Sequence, residues 1–495
     1  MSARRVATLA LAAMLAGCTV GPNFTKPVVD TPPAWRIDYP QAADVANTRW
    51  WEQFGDPVLT ELIDTALREN RDLVIAAARV DAYIGTLDTT RAKLYPQADY
   101  NLDANRNRAT GAGASAPPAG TDPYSPGYPS LYSSLYQGVL GAKWQLDLFG
   151  RVRRQTESAQ AQVYATEQGR RGVVLSVVCG VAASYVALRS LDKQLEIAQQ
   201  TAKNYADTQR IFDLRFKGGV VSKVELAQNQ SAYQQALAAI PALEQQISAQ
   251  ENLIAVLLGR NPSPIPRGRA LGDLASPELP GNLPASLLER RPDILQAEQN
   301  LIAANADIGA AKALYYPQFN LTANYGSISA AFSNFLTGPA AVWLLAANIT
   351  GPLFTAGSIA GQVTTAEAQT QVALGDYQKA VLVAFREAND ALVGTMKKRE
   401  ENAAQALRVA ALRETARLTR LRFNYGYAGF FEVLYAENEL FAGELAAVRT
   451  NADRYTQIIA VYKAVGGGWI DLADQGTAAG RITPVPERAA RQPLF

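Results

Sequence analysis

Two very long stretches carry an apolar pattern of helical period. From Arg151 to about Phe216 the apolar positions recur every seven residues: Val174, Val181, Leu188, Leu195 and Ala202 form one row. Val177, Leu191, Ala198, Tyr205 and Phe212 form a second, with Ser184 between them. Paired heptad rows of this kind are a coiled-coil seam. No proline occurs from Ser130 to Ile240 or from Leu353 to Thr483, and Ala, Gln, Glu, Leu and Arg dominate both stretches. A single helix over the first would be on the order of 100 Å long, at 1.5 Å per residue. Glycines at 218–219 and 426–429 interrupt the two stretches. Each is therefore predicted to be a helical hairpin with a glycine tip. Gly172 to Leu188 carries no charge and is also long enough to raise a transmembrane reading. The heptads run on past both of its ends, which favours the coiled coil.

Shorter segments alternate with period two. Gln97 to Arg108 and Gln318 to Gly326 do so, followed by strand-like runs from about Leu135 to Leu148 and from about Val342 to Leu353. These four segments fall in a repeated order. Tyr95-Pro96-Gln97 returns as Tyr316-Pro317-Gln318, Leu148-Phe149-Gly150 is echoed by Leu353-Phe354, and Arg215-Phe216 returns as Arg422-Phe423. Glu225 and Glu432 stand in matching places after the glycines. The chain thus contains two copies of one module. In each, a helix ends at Tyr-Pro, two strands follow, and a long helical hairpin comes last. The first copy has an extra loop near Gly111 to Ser130.

Strands of about ten residues match a tilted membrane strand. Four of them cannot close a barrel, and an unpaired backbone group in hydrocarbon costs several kcal/mol. Subunits must then pool their strands.

Composition changes the picture by subtraction. The 495 residues include no histidine, two cysteines and three methionines. That removes His-dependent catalysis, His-ligated metals, disulfide scaffolds and thiolate metal clusters. No nucleophile–base pair is visible, so the reading is not an enzyme, with no catalytic residue and no metal site. Lys+Arg number 47 against 45 Asp+Glu, which argues against nucleic acid as a partner. At the N-terminus, Arg4 and Arg5 precede an apolar run from Val6 to Ala16, and Leu15-Ala16-Gly17-Cys18 closes it. This is the layout of a secretory signal over residues 1–17. The tetrapeptide resembles the bacterial lipobox, which implies a covalent lipid on Cys18 as the only attached group. Cys179, among valines, reads as a buried apolar residue.

Four motifs carry a resemblance to a known family. They are Arg290-Arg291-Pro292-Asp293-Ile294 continuing through Ala297-Glu298 to Tyr316-Pro317-Gln318; Trp50-Trp51 through Phe54-Gly55-Asp56-Pro57 to Asn70 and Asp72-Leu73; Gly17-Cys18-Thr19-Val20-Gly21-Pro22-Asn23-Phe24; and Val465-Gly466-Gly467-Gly468-Trp469. On these the sequence resembles the TolC-like outer membrane efflux proteins, in their OprM- or NodT-type lipoprotein branch. The resemblance implies a mainly α fold with membrane β, the TolC-like α/β barrel: a homotrimer with a twelve-stranded barrel in the outer membrane and a twelve-helix periplasmic tunnel. It implies a passive exit duct for small molecules. A periplasmic adaptor and an inner-membrane pump of the resistance–nodulation–division (RND) type dock on the narrow end, and the lipid of the outer membrane surrounds the barrel.

The expected segments after the signal are 18–93, the lipidated terminus and first helices; 94–148, a β-hairpin with its outer loop at about 109–130; and 149–258, the first helical hairpin. A linker and helix at 259–313, a second β-hairpin at 314–353, a second helical hairpin at 354–466 and a tail at 467–495 complete the chain. In the family the tips form the docking end, here Gly218, Gly219, Gly426 and Gly429. The family's iris is lined by acids just beyond the tips, which points to Glu225 and Glu432, with Arg215 and Arg422 as latch partners. Tyr435 stands where many relatives have aspartate, which suggests a constriction closed partly by aromatics, with Phe430 and Phe431 nearby. A plainer reading stays beside it: the two glutamates complement helix N-termini and the arginines cap helix ends. Tyr132, Tyr136, Trp144 and Trp343 suit membrane-interface belts, with Tyr124 and Tyr128 read as loop packing. Tyr95 and Tyr316 are expected at the inner membrane edge. A duct for protein secretion and an envelope-spanning lipoprotein without a pore are the alternative functions.

Overall fold

The computed structural model describes residues 19–27, 48–108, 132–277, 290–466 and 469–477. The signal, Cys18, the first outer loop with Tyr124 and Tyr128, Gly467, Gly468 and the last part of the tail lie outside the described residues. In chain order the elements are α1 (Pro57–Glu69), α2 (Arg71–Ala92), β1 (Gln97–Arg108), β2 (Tyr132–Leu146), α3 (Arg151–Lys217) and α4 (Lys223–Leu257). Then come α5 (Pro292–Lys312), β3 (Gln318–Ser329), β4 (Ala341–Thr350), α6 (Ser358–Asn424), α7 (Phe430–Val465) and α8 (Trp469–Asp474). The two modules read in the sequence are present: α3 and α6 each run 67 residues, each after a β-hairpin and before a shorter partner helix. β2 and β4 begin and end somewhat earlier than the alternating pattern suggests. Pro241 sits inside α4 without ending it; Ala236 and Leu243, buried on either side of it, hold the helix across the lost hydrogen bond.

The chain divides into two compact units. The first comprises residues up to 26, 83–163 and 300–374. Its centre is one antiparallel sheet in the order β1-β2-β3-β4. Gln97 pairs with Lys143, Lys143 with Thr322, and Gln318 with Thr350, which fixes the register of the three ladders. At the strand-to-helix junction, Phe149 stacks on Tyr316 with ring centroids 4.6 Å apart. Gly150 has φ +78°, and a side chain there would press on Thr19 at 2.9 Å. Arg154, nearly buried, donates to the carbonyls of Val20 and Gly21 and, at 2.8 Å, to Asn23 Oδ1. The segment after Cys18 is thereby fastened to the start of α3.

The second unit comprises residues 27–82, 164–299 and those from 375 onward. Its core joins two of the sequence motifs. Trp50 stacks on Tyr462 at 4.9 Å, and Trp469 meets Trp50 and Trp51 edge-on at 5.9 and 6.0 Å. Val174, Val178, Val181 and Tyr185 of α3 are fully buried in the same cluster. The uncharged window of α3, apolar enough by composition to cross a membrane, is thus a core face. The polar motif residues hold backbone. Asp56, 1% exposed, caps α1 through Val58 N–H and accepts from Tyr185 Oη at 2.8 Å and Arg269 N–H at 2.9 Å. Asn70 caps α2 and donates to the Leu257 carbonyl at the end of α4. Arg291 ties the start of α5 to the Ala464 carbonyl, Asp293 and Glu387.

Candidate functional site

The sheet has two chemically opposite faces. By the register, Tyr100 and Leu102 of β1, Leu140 and Trp144 of β2, Leu321 and Tyr325 of β3, and Trp343, Leu345 and Ile349 of β4 share one face. Most of these large apolar side chains are bare: Leu102 is 74% exposed, Trp343 78% and Leu345 74%. A soluble sheet buries such a face; one that meets hydrocarbon leaves it free. The other face is mainly polar: it carries Asp99, Asn101, Asp103, Asn105, Lys143, Asn320, Thr322 and Asn324, with Val139 and, on β4, Val342 and Leu344 as apolar members. Lys143 Nζ lies 3.3 Å from Asp99 there. Apolar on one side and polar on the other is the division of a strand between lipid and water.

Aromatic groups mark both ends of the sheet. At one end Trp144 Nε1 donates to the Leu94 carbonyl at 2.9 Å, close in sequence to Tyr95, and Tyr316 stacks on Phe149. At the other, the guanidinium groups of Arg106 and Arg108 each lie 5.6 Å from the Tyr132 ring. Phe332 meets Tyr136 edge-on at 5.5 Å. Rings and guanidinium groups at the rims suit the headgroup level on each side.

The helical tips share one backbone design. Gly219 has φ +71° and Gly426 φ +79°, so both tips turn on a left-handed glycine. Val220 N–H bonds to the Arg215 carbonyl, and Tyr427 N–H to the Arg422 carbonyl, closing each helix end in the same way. Gly218 and Gly429 have no such conformational need; Gly429 is the extended residue before α7. Glu225 completes a capping box with Ser222: Ser222 N–H donates to its Oε2 at 2.8 Å, and Glu225 N–H to Ser222 Oγ. Glu432 accepts from Gly429 N–H at 3.2 Å, and its other oxygen lies 3.8 Å from Arg422 Nη1. Arg422 also donates to the Tyr427 carbonyl. The Arg215 guanidinium sits 6.0 Å from the Phe423 ring, bridging the two hairpins.

Within one chain, then, both glutamates hold helix starts, and both arginines contact the tips. Tyr435 is 62% exposed and Phe431 64%. Phe430, by contrast, is 3% exposed and packs 4.1 Å from Phe212, because it begins α7 on the seam between the hairpins. Leu214, Val220, Val224 and Tyr427 leave apolar surface bare at the tips. What the sequence did not single out is the network between helices. α6 and α7 are joined by Lys398–Asp453, Arg408–Glu439, Arg413–Glu444 and Arg420–Glu437. Scattered charges at helical spacing give no signal of their partners before the hairpin register is known. Among the described residues no group of three or more His, Cys, Asp or Glu is placed to hold a metal ion.

Known proteins share this arrangement. The profile of the outer membrane efflux protein family matches the chain twice, over residues 62–260 and 283–467, one match per module. The solvent efflux pump outer membrane protein SrpC of Pseudomonas putida is 32% identical over 464 residues, covering 92% of this chain and 96% of its own. The cation efflux system protein CusC of Escherichia coli is 29% identical over 475 residues. A crystal structure of CusC superposes with a TM-score of 0.79 at 28% identity, over 91% of this chain and 100% of that one. The open-state MtrE outer membrane channel of Neisseria gonorrhoeae superposes with 0.80, also at 28% identity, over 91% and 99%. The fold is the TolC-like one, and with a two-faced membrane sheet, paired long hairpins and both modules matched, the chain belongs to the outer membrane efflux protein family.

Proposed function

We propose that this protein is the exit duct of a tripartite efflux system and works as a homotrimer. Three copies pool their sheets into one closed barrel with the polar faces inward, and their helical hairpins line a water-filled passage into the periplasm. The observation that carries the reading is the sheet itself: one face bare and apolar, the other polar, with β1 and β4 left as outer strands. Such edges in hydrocarbon have to be paired. Solutes pass without chemistry. The relatives named for solvent and cation efflux differ in cargo, which suits a passage that excludes by size rather than binds.

The finer assignments belong to the same reading. Cys18 carries the lipid that anchors the mature terminus in the outer membrane, and the fastening of Thr19 to Asn23 by Gly150 and Arg154 supports a defined place for it. The tips around Gly218, Gly219, Gly426 and Gly429 receive a periplasmic adaptor, which links an RND-type pump in the inner membrane. Their exposed apolar residues support a protein contact. Glu225 and Glu432, with Arg215, Arg422 and Tyr435, form the constriction, where the capping contacts fix the direction of each carboxylate.

Purified protein in planar bilayers tests the duct. Stepwise single-channel currents together with a trimer mass in native mass spectrometry are expected. A pure monomer without currents would refute the reading.

A further inference from the structure

We infer that the seam between neighbouring subunits is built by β4 of one chain and β1 of the next in a specific register, with Ala346 opposite Asn105 of the partner subunit. This rests on the pooled-barrel reading above and adds the residue pairing to it.

The internal repeat sets this register. The first β-hairpin pairs Gln97 with Lys143, and the second pairs Gln318 with Thr350. Superposing the modules therefore equates Gln97 with Gln318 and Lys143 with Thr350. The same equivalence carries on into the helices. It matches Gly150 with Gly357, both at positive φ before a long helix, and the start of α3 with the start of α6. Within the chain, β2 of the first module already pairs with β3 of the second, Val139 opposite Gly326 and Tyr136 opposite Ser329. A closed ring of modules repeats that junction once more at each chain boundary. Moving each partner to its equivalent turns Val139–Gly326 into Ala346–Asn105 and Tyr136–Ser329 into Trp343–Arg108.

Two features accompany this register. First, it keeps the faces matched, as the β2–β3 junction it repeats does. Ile349 falls beside Leu102 of the partner subunit on the apolar face, and Asn348 beside Asp103 of the partner subunit on the polar one. A slip of one residue would mix the faces. Second, the β2–β3 ladder extends to Leu146–Phe319, and its equivalent reaches Leu353, beyond the end of β4 at Thr350. Leu353 and Phe354 are 105% and 89% exposed in the single chain. The seam turns this bare stretch into paired strand. Aligning the modules on the Leu-Phe echo instead slides the seam by two residues and sets Ala346 against Asp103 of the partner subunit, so experiment can separate the two.

The test is disulfide trapping in the full-length protein, purified from membranes. Ala346→Cys is combined in turn with Asn105→Cys, Asp103→Cys and Asn107→Cys. All four positions lie on the polar face, and the native Cys179 is buried. Opposed strand positions meet disulfide geometry and diagonal ones do not. The first pair is expected to give at least about tenfold more cross-linked subunits on non-reducing gels than either shifted pair. Trapping mainly with Asp103→Cys or Asn107→Cys overturns the register and leaves the pooled barrel standing. Trapping with none of them in a trimeric protein overturns the seam. A monomeric wild type removes the reading beneath it. A cryo-EM map of the unmodified protein reads the same pairing with no substitution, should a cysteine variant fail to fold.

Discussion

At the scale of the residue, buried polar groups do more structural work here than their number suggests. Asp56 satisfies the N-terminus of α1, the Tyr185 hydroxyl and the Arg269 amide from one nearly inaccessible carboxylate. Asp56→Ala is expected to cost about 2–4 kcal/mol, since it orphans several donors at once. The intrinsic fluorescence of Trp50, Trp51 and Trp469, in the same unit, reports the shift in urea midpoint. Asp307 illustrates the opposite case. Burial raises its carboxyl above the ordinary range, while a hydrogen bond with Ser158 acts the other way. The folded state thus holds the proton more tightly than the unfolded one, and stability falls as pH climbs from the unfolded value through the raised one. Asp307→Asn, which stays neutral, is expected to melt higher than wild type at pH 7 and to lose that advantage below about pH 4. Thermal scans across pH show which way the gap moves.

Residue roles were also the least legible part of the sequence. Asp56, Asn70 and Arg291 stood inside recognised motifs, yet their work depends on carbonyls and hydroxyls far along the chain, which no local pattern encodes. Cys179 was legible, because a cysteine among valines at heptad spacing has one natural place, and burial pushes its thiol up to about 12.

At the scale of the element, the strands and long helices were readable because periods of two and seven persist over many residues. Strand ends were less so: β4 stops at Thr350 in the single chain, although the alternation runs on to Leu353. The tips show the limit most clearly. Glycine placed both turns, but the pattern gave no hint that Phe430 would turn inward onto Phe212 while Phe431 stays bare. The capping contacts of Glu225 and Glu432 are local and lie within a single chain. A gating role requires their carboxylates to act across the assembly. Glu432→Ala is expected to raise conductance several-fold in bilayers if the constriction is electrostatic, because it removes a charge at 3.8 Å from Arg422. An unchanged current would leave Glu432 as a helix cap.

At the scale of the whole molecule, one chain has an open four-stranded sheet, and the proposed assembly is what closes it. The lipid anchor can be read by counting thiols. The mature protein purified from membranes and fully denatured should titrate one free thiol, from Cys179, because the proposed thioether at Cys18 removes the other. In the native state it should titrate none, since Cys179 is buried. Two thiols after denaturation would remove the anchor from the proposal.

The ion pairs along α6 and α7 set the two hairpins apart. Among the described residues no ion pair joins α3 to α4 directly; they meet through apolar side chains such as Tyr205 and Ala236 and through amides, Asn229 to Gln209 at 2.7 Å and Gln250 to the Ser184 carbonyl at 2.9 Å. Arg267, after α4, pairs with both Asp192 of α3 and Glu251 of α4 at one end only. Exposed ion pairs weaken as salt screens them, whereas amide contacts barely respond. Raising ionic strength should therefore loosen the second hairpin more than the first, seen as a larger rise in amide hydrogen exchange in residues 398–453 than in 200–243, the part of the first hairpin away from the Arg267 bridge. A change in the salt around the tips would then be felt unequally by the two halves of an internally repeated chain, chiefly through the second.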